Sequence, residues 1–149
     1  MAHPQNSRKI IYHADDDEDD RMLFLDAVSE LDLEIKLKQA HNGQQLLYSL
    51  HQAASEIPEL LFLDINMPGK NGLECLKEIR NAGGTFNDLK VIMLSTSSSK
   101  YSIDASYELS ADFYAVKPGT YKELKKLLHD IFTIDWSTFG RDKKRFLLT

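Results

Sequence analysis

Five short apolar runs alternate with segments of helical periodicity along this chain, and this alternation constrains the fold more than any other feature. The apolar run at 60–63, for example, precedes Leu73, Leu76 and Ile79, which repeat at helical spacing. Consecutive β-then-α units require parallel strands with helices on both faces of the sheet. We therefore expect an α/β fold with a five-stranded, doubly wound parallel sheet in the flavodoxin-like order 2-1-3-4-5. The predicted strands are residues 10–12, 35–37, 60–63, 91–94 and 113–116.

The predicted helices differ in the strength of their apolar pattern. The last helix follows Pro118, carries Leu124, Leu127 and Leu128, and is the clearest amphipathic helix in the sequence. The fourth helix, around 103–109, has the weakest apolar stripe. A weak stripe suits a helix that moves or binds a partner.

The length of 149 residues fits one domain of ordinary size. We divide the chain into an N-terminal extension at 1–8, a domain at 9–133 and a C-terminal tail at 134–149. The single cysteine, Cys75, excludes an internal disulfide framework and is compatible with a reducing compartment. No apolar run approaches the roughly 20 residues that span a bilayer, and the first residues do not resemble a signal peptide. We expect a cytoplasmic protein without a membrane partner.

Polar side chains follow four of the predicted strands at their carboxyl ends. Asp15 and Asp16 follow the first strand, Asp64 the third, Ser95 the fourth and Lys117 the fifth. Ligands of open α/β sheets bind at this edge, so these side chains are expected to meet there. Clustered carboxylates repel one another unless a cation binds, and all-oxygen ligands select Mg²⁺ or Mn²⁺. The pattern predicts a carboxylate nucleophile directed at a phosphoryl group whose charge the cation and Lys117 neutralise.

Each of these residues taken alone also has a purely structural interpretation. Asp64 could cap the turn that follows it, because aspartate is common in turns. Ser95 could be an ordinary loop serine, and Lys117 an exposed lysine at the start of a helix. Their joint occurrence at the strand ends favours a site over these separate explanations. The remainder of the acidic run, residues 17–20, is instead predicted to be a solvated helix start that complements the helix dipole.

Four sequence blocks resemble those of receiver domains from bacterial two-component response regulators. They are IIYHADDD at 10–17, LFLDINMP at 61–68 followed by Gly72, VIMLST at 91–96, and YAVKP at 114–118. The resemblance covers residues 9–133 in order and extends to single-domain regulators of the chemotaxis and phytochrome-associated types. It implies phosphoryl transfer to an aspartate.

Carried over residue by residue, the resemblance implies that Asp64 is the phospho-acceptor. Asp16 would bind Mg²⁺ or Mn²⁺ directly, and Asp15 would bind it chiefly through water. Asp64 and the backbone carbonyl of Asn66 would complete the metal ligands that the protein supplies.

The resemblance assigns further roles at the neighbouring strand ends. Ser95, Thr96 and Lys117 would bind the phosphoryl group. Ser95 and Tyr114 would form a switch, in which Ser95 moves toward the phosphoryl group and Tyr114 turns inward. The bond between Lys117 and Pro118 is expected to be cis, as in members of the family.

The partners implied by the resemblance are a sensor histidine kinase or hybrid kinase and a downstream protein target. A homodimer is expected to use either the face of helix 4, strand 5 and helix 5 or the C-terminal tail. That tail is both basic and aromatic, which can indicate nucleic-acid binding, but the chain's net charge of −5 argues mildly against it. We expect the tail to dock on its own domain, on a second copy or on a kinase, and it is too short for a DNA-binding domain.

Two other functions compete with phosphotransfer signalling. A receiver-like scaffold that has lost phosphotransfer would normally lack part of the set Asp15, Asp16, Asp64, Ser95 and Lys117, all of which are present. A phosphohydrolase of the haloacid-dehalogenase type would have a second aspartate two residues after the nucleophile. That position is Asn66 here, which disfavours the hydrolase.

Overall fold

The computed structural model describes residues 9–53 and 56–148, so the predicted N-terminal extension at 1–8 lies outside the described residues. Within these ranges the strands form one sheet in the order β2-β1-β3-β4-β5-β6, with every neighbouring pair parallel. The strands are β1 (Lys9–Ala14), β2 (Ile35–Ala40), β3 (Leu60–Leu63), β4 (Lys90–Ser95), β5 (Phe113–Val116) and β6 (Leu147–Leu148). The helices are α1 (Glu18–Glu30), α2 (Gly43–Gln52), α3 (Gly72–Ala82), α4 (Lys100–Glu108) and α5 (Tyr121–Phe132).

Helices cover both faces of the sheet, and each face has its own apolar core. On one face, residues such as Leu46 of α2 and Leu76 of α3 pack against β3 and β4. On the other face, residues such as Phe24 of α1 and Leu128 of α5 pack against the opposite side of the same strands. The central strand β3 is buried over its whole length, as expected of a parallel strand covered on both sides. The predicted doubly wound α/β architecture is therefore confirmed.

The sheet has six strands in the described residues, so the prediction of five strands is wrong in number. The sixth strand comes from the C-terminal tail, where the backbone N–H of Tyr114 donates to the carbonyl of Phe146 at 2.9 Å. Phe146 is buried, and its ring lies 5.1 Å from that of Tyr107 on α4. Arg141 adds a hydrogen bond from its Nε to the carbonyl of Ala111 at 2.9 Å. The tail therefore docks on its own domain, one of the three placements expected for it.

The loop between β3 and α3 is held close to the sheet by a glycine. A Cβ atom on Gly72 would lie 2.2 Å from the carbonyl oxygen of Asp64, so a side chain there would clash with backbone. Asn71 caps the helix through a capping box with Glu74. The start of α3 thus fixes the backbone directly after β3.

The described helices include none that is long and apolar enough to cross a membrane.

Candidate functional site

The candidate site lies at the carboxyl ends of β1, β3, β4 and β5. Asp15 and Asp64 each follow the last residue of a strand, and their backbone N–H groups continue the pattern of sheet hydrogen bonds. The N–H of Asp64 donates to the carbonyl of Ala14 at 3.0 Å, and that of Asp15 donates to the carbonyl of Ala40 at 3.1 Å. The two aspartates are therefore held at one edge by the sheet itself.

Three carboxylates converge at this edge, as predicted. Asp15, Asp16 and Asp64 each offer an oxygen, and these oxygens all lie within 4.8 Å of one another. Asp15 and Asp64 are only 1% and 5% exposed, whereas Asp16 is open to solvent. Carboxylate oxygens at this spacing suit a hard divalent cation such as Mg²⁺ or Mn²⁺. This donor set therefore fits the metal that the sequence predicts.

Lys117 reaches the same cluster from the loop that follows β5. Its Nζ lies 2.8 Å from Oδ2 of Asp15 and 3.5 Å from Oδ2 of Asp64. The backbone N–H of Lys117 donates to the carbonyl of Ser95 at 2.8 Å, which ties this loop to the end of β4. The ammonium is therefore positioned to neutralise negative charge that arrives at Asp64.

Asp20 is a third carboxylate bonded to Lys117, which the sequence pattern does not indicate. Its Oδ2 lies 2.8 Å from the Lys117 Nζ, as close as that of Asp15. The acidic run predicts that Asp20 belongs to a solvated helix start. It does lie in the first turn of α1, but its side chain is only 38% exposed and faces the site.

The charges in the cluster shift the pKa values of two groups. Burial raises the pKa of Asp64 to about 6, opposed by the charge of Lys117 and assisted by the charge of Asp15. Burial lowers the pKa of Lys117, but its hydrogen bonds to Asp15 and Asp20 outweigh that effect and leave the pKa raised. At neutral pH Lys117 is therefore charged and Asp64 is ionised. Because burial and the charge of Asp15 disfavour the ionised form of Asp64, a bound cation would stabilise it.

The loop after Asp64 contributes a backbone donor. The N–H of Asn66 donates to Oδ1 of Asp64 at 3.3 Å, and the Asn66 side chain is exposed. This contact turns the loop around the carboxylate. It places Asn66 beside Asp64, as its predicted part in metal binding requires.

Ser95 ends β4 and is buried, whereas Thr96 is exposed. The Ser95 hydroxyl oxygen accepts from the backbone N–H of Ser97 at 3.1 Å. Tyr114 is buried, and its hydroxyl donates to the carbonyl of Ser97 at 2.6 Å. The two predicted switch residues therefore both bind Ser97 in the loop after β4. The sequence pattern does not indicate that Ser97 links them.

The bond between Lys117 and Pro118 is trans, because no cis peptide bond occurs in the described part of the chain. The prediction of a cis bond at this position is therefore contradicted. A trans bond is the intrinsically preferred form even before proline, by about 0.5–1 kcal/mol.

His13 lies next to the site and is buried. Its ring stacks on Phe24 with centroids 3.8 Å apart, and its Nδ1 lies 3.1 Å from Nε2 of Gln39. Burial, with the nearby charges of Lys117 and Arg21, lowers the pKa of His13 to about 3. The imidazole is therefore neutral at physiological pH and packs as part of the core.

The fold and the site agree with similarity to known proteins. The response regulator receiver domain model matches residues 11–129. Response regulator Rcp1 from Synechocystis is 29% identical over 135 residues, which cover 88% of this chain and 91% of that protein. A chemotaxis protein CheY homolog from Campylobacter jejuni is 35% identical over 77 residues, covering 52% of this chain and 58% of that protein.

Solved structures give the same result. The phosphorylated cyanobacterial phytochrome response regulator RcpA superposes with a TM-score of 0.79 at 28% identity, covering 89% of this chain and 97% of that one. The Mn²⁺-bound form of Rcp1 superposes with a TM-score of 0.75 at 27% identity, covering 90% and 99%. The match to the family model spans most of the chain, and the predicted acidic cluster and lysine meet where that fold binds its ligands. The chain therefore belongs to the response regulator receiver domain family, the phospho-accepting signalling domains of two-component systems.

Proposed function

We propose that this receiver domain accepts a phosphoryl group on Asp64 from a histidine kinase or phosphotransfer protein, in a Mg²⁺-dependent reaction in the cytoplasm. The phosphorylated form would then signal through protein contacts that depend on phosphorylation. The only chemistry proposed for the domain itself is its own phosphorylation and dephosphorylation.

The observation that carries this proposal is the convergence of three carboxylates and Lys117 at one edge of the sheet. The carboxylate oxygens of Asp15, Asp16 and Asp64 lie within 4.8 Å of one another, and Lys117 contacts two of these three residues. Such a cluster is unfavourable without a cation, and a purely structural role would not require it. RcpA in its phosphorylated form and Rcp1 in its Mn²⁺-bound form have the same fold, which supports the assignment.

In the proposed reaction an oxygen of Asp64 attacks the phosphorus of a phosphohistidine. A P–O bond forms, the P–N bond breaks, and its electron pair leaves with the imidazole of the donor. Asp64 must be ionised to attack, which its pKa of about 6 allows at neutral pH. Lys117 and the hydroxyls of Ser95 and Thr96 would bind the phosphoryl oxygens, so that most of the catalysis comes from positioning and charge.

The metal would be held by Asp15, Asp16, Asp64 and the backbone carbonyl of Asn66, with Asp15 acting chiefly through water. When bound, Mg²⁺ or Mn²⁺ neutralises charge on the phosphoryl oxygens. Hydrolysis of the acyl phosphate would later return Asp64 to its free carboxylate and end the signal.

The proposed output is a change in the surface formed by α4, β5 and α5. Ser95 and Tyr114 both hold Ser97, so a shift of Ser95 toward a phosphoryl group would disturb the loop that anchors the Tyr114 hydroxyl. Phe146 of the tail is buried beside Tyr114, so the tail covers part of this face. A downstream target, the kinase or a second copy of the chain would therefore meet the tail together with α4 and α5.

Intact-mass measurement after incubation with acetyl phosphate and Mg²⁺ tests the proposal. We expect one phosphoryl adduct that disappears when a chelator removes the metal and that is absent from Asp64→Asn. Asp88→Asn is the matched control, because Asp88 is an exposed aspartate remote from the cluster. This variant should be labelled like the wild type.

An adduct that persists in Asp64→Asn would contradict the assignment of the acceptor. If small donors give no adduct, transfer from a phosphorylated histidine kinase is the next measurement. Failure with both donors would favour the interaction scaffold over the phospho-acceptor.

A further inference from the structure

We propose that Asp20 is a positioning residue that holds the Lys117 ammonium in place for the phosphoryl group arriving at Asp64, an inference that rests on the proposed function. Asp20 would thereby take part in phosphoryl acceptance, although it lies outside the acidic cluster and outside the four sequence blocks that resemble receiver domains.

The contacts of Lys117 account for all of its hydrogen-bonding capacity. A lysine ammonium carries three donors. Two of them make short bonds of 2.8 Å, to Oδ2 of Asp15 and Oδ2 of Asp20. The third is directed at Oδ2 of Asp64, at the longer distance of 3.5 Å. The two short bonds therefore orient the remaining donor toward the carboxylate that would receive the phosphoryl group.

Asp20 differs from the other two carboxylates in that it is not one of the expected metal ligands. Cation binding at Asp15, Asp16 and Asp64 would withdraw negative charge from Asp15 and Asp64 and weaken their attraction for Lys117. Asp20 lies outside that cluster and would keep its full charge. Of the three carboxylates bonded to Lys117, Asp20 is thus the one whose attraction for the ammonium would be weakened least by metal binding.

The position of Asp20 is itself fixed by the start of α1. Asp17 is the N-cap of this helix, and its Oδ1 accepts from the backbone N–H of Asp20 at 3.1 Å. Lys117 is anchored on the other side of the contact by its backbone bond to Ser95. The Asp20–Lys117 ion pair therefore joins the first turn of α1 to the loop that is bonded to the end of β4, as a positioning contact should.

Asp19 provides a matched control for the charge of the helix start. It lies on the same first turn of α1 and is exposed, and it is not among the three carboxylates bonded to Lys117. Asp19→Ala and Asp20→Ala remove the same charge from the same turn, so they have similar effects on the helix dipole and on the approach of an anionic donor. Only the second variant removes the contact with Lys117.

The rate of phosphoryl acceptance from acetyl phosphate, at fixed donor and saturating Mg²⁺, is the first measurement. Asp20→Ala should slow acceptance by about 3- to 10-fold, since a partly exposed ion pair is lost and a charged group loses its orientation. Asp19→Ala should change the rate by less than about 2-fold. Asp20→Asn keeps an acceptor oxygen without the charge, and its rate should fall between those of the wild type and Asp20→Ala.

The mobility of the ammonium is the second measurement, and it does not depend on phosphoryl transfer. Nitrogen-detected NMR of lysine side chains reports how fast the Nζ protons of Lys117 exchange with water, assigned by comparison with Lys117→Arg. Asp20→Ala should accelerate this exchange, with and without Mg²⁺, whereas Asp19→Ala should leave it unchanged. If Asp20 merely stabilised α1, Asp20→Ala and Asp19→Ala would change the exchange rate equally.

The inference is overturned if Asp20→Ala matches Asp19→Ala in rate, or if Asp20→Ala accepts phosphoryl groups faster than the wild type. The second result would mean that Asp20 restrains Lys117 instead of positioning it. A wild-type chain that accepts no phosphoryl group would overturn the proposed function and this inference together. A wild-type chain that is labelled normally while Asp20→Ala shows no change would overturn this inference alone.

Discussion

Buried aspartates lie at both ends of the sheet, and they are paired in different ways. At the amino end, Oδ2 of Asp112 accepts from Nη2 of Arg80 at 3.1 Å and from the backbone N–H of Val91 at 2.8 Å. At the carboxyl end, Asp64 shares the single lysine Lys117 with two other carboxylates. Asp112 and Asp64 are equally buried, at 5% exposure each. The difference therefore lies in their partners and not in their depth.

The comparison separates a charge that stabilises the fold from a charge that is available to a ligand. Burial raises the pKa of both aspartates. At Asp112 the Val91 N–H and the charge of Arg80 oppose that effect. At Asp64 the charge of Lys117 opposes it, but the charge of Asp15 adds to it. Arg80 also donates to the carbonyls of Leu89 and Ser110, so it ties three segments together. At the carboxyl end, in the part of the chain that the structure describes, Asp64 has no such dedicated cation, because Lys117 is shared by three carboxylates. The surplus of negative charge at this end is what a divalent cation would neutralise.

The largest effect is expected at the amino end. Arg80→Ala leaves Asp112 buried without its cation and should lower the free energy of unfolding by about 3–5 kcal/mol. Urea denaturation at pH 7 measures this loss. Lys77→Ala is the control on the same helix, because Lys77 is exposed, and it should have little effect. A loss under about 1 kcal/mol in Arg80→Ala would remove the contrast between the two ends.

The second effect has the opposite sign. Asp64→Asn should raise the free energy of unfolding by about 1–3 kcal/mol at pH 7 without divalent metal, because it removes a carboxylate whose charged form is disfavoured in the fold. Asp112→Asn should instead lower it, since Arg80 would lose its ion-pair partner. Denaturation of both variants in a chelating buffer makes the comparison. Destabilisation by Asp64→Asn would show that this carboxylate also serves the fold.

The pH dependence of that difference sharpens the comparison further. Asp64 has a folded pKa of about 6, above the ordinary value near 3.9 for the unfolded chain. A carboxyl group whose pKa is raised in the folded state favours folding when it is protonated. The contribution of Asp64 to stability is therefore complete below about pH 4 and is lost as the pH rises through about 6. The stability gap between Asp64→Asn and the wild type should therefore be small at pH 4 and reach a plateau near pH 7.

The gap is the free energy of unfolding of Asp64→Asn minus that of the wild type, measured at each pH. The pKa of His13 is lowered to about 3, so the contribution of His13 to the free energy of unfolding decreases as the pH falls below about 6.5. This decrease opposes the effect of Asp64 over the same pH range. Both proteins contain His13, so its contribution largely cancels in the difference. A gap that stays constant from pH 4 to 7 would contradict the raised pKa of Asp64.

The smallest effect is expected for an ion pair on the surface of α5. Lys126 and Asp130 lie 2.8 Å apart but are both mostly exposed. Lys126→Gln should change the free energy of unfolding by less than about 0.5 kcal/mol. The same urea measurements provide this baseline. A loss comparable to that of Arg80→Ala would mean that burial does not explain the contrast between the two ends of the sheet.

The sequence predicted the residues of the carboxyl end well, because their positions follow from the strands. Asp64, Ser95 and Lys117 come directly after an apolar run, and Asp15 follows another run after two further residues. Parallel strands bring such residues to one edge. Asp20 was missed for a physical reason. It stands in an acidic run whose members look alike, and only the rotation of α1 against the sheet decides which of them faces Lys117.

The sixth strand could not be predicted from local pattern either. Leu147 and Leu148 make a two-residue strand behind a basic stretch, too short to show the alternation typical of strands. Its formation depends on long-range contacts, chiefly the burial of Phe146 near Tyr107 and Tyr114. The amino-end pair of Arg80 and Asp112 is likewise invisible in sequence, since 32 residues separate its members.

The close approach of Gly72 to the backbone of Asp64 has a consequence for protein engineering. Receiver domains are attractive parts for chimeric sensors, in which segments of two homologues are exchanged. A crossover point between residues 64 and 72 would combine the strand of one parent with the helix start of another. Any parent that supplies a side chain at position 72 would then bring a Cβ to 2.2 Å from the carbonyl oxygen of Asp64. Crossovers are better placed in the segment before β3 or after α3, so that the acceptor strand and its glycine are inherited as one unit.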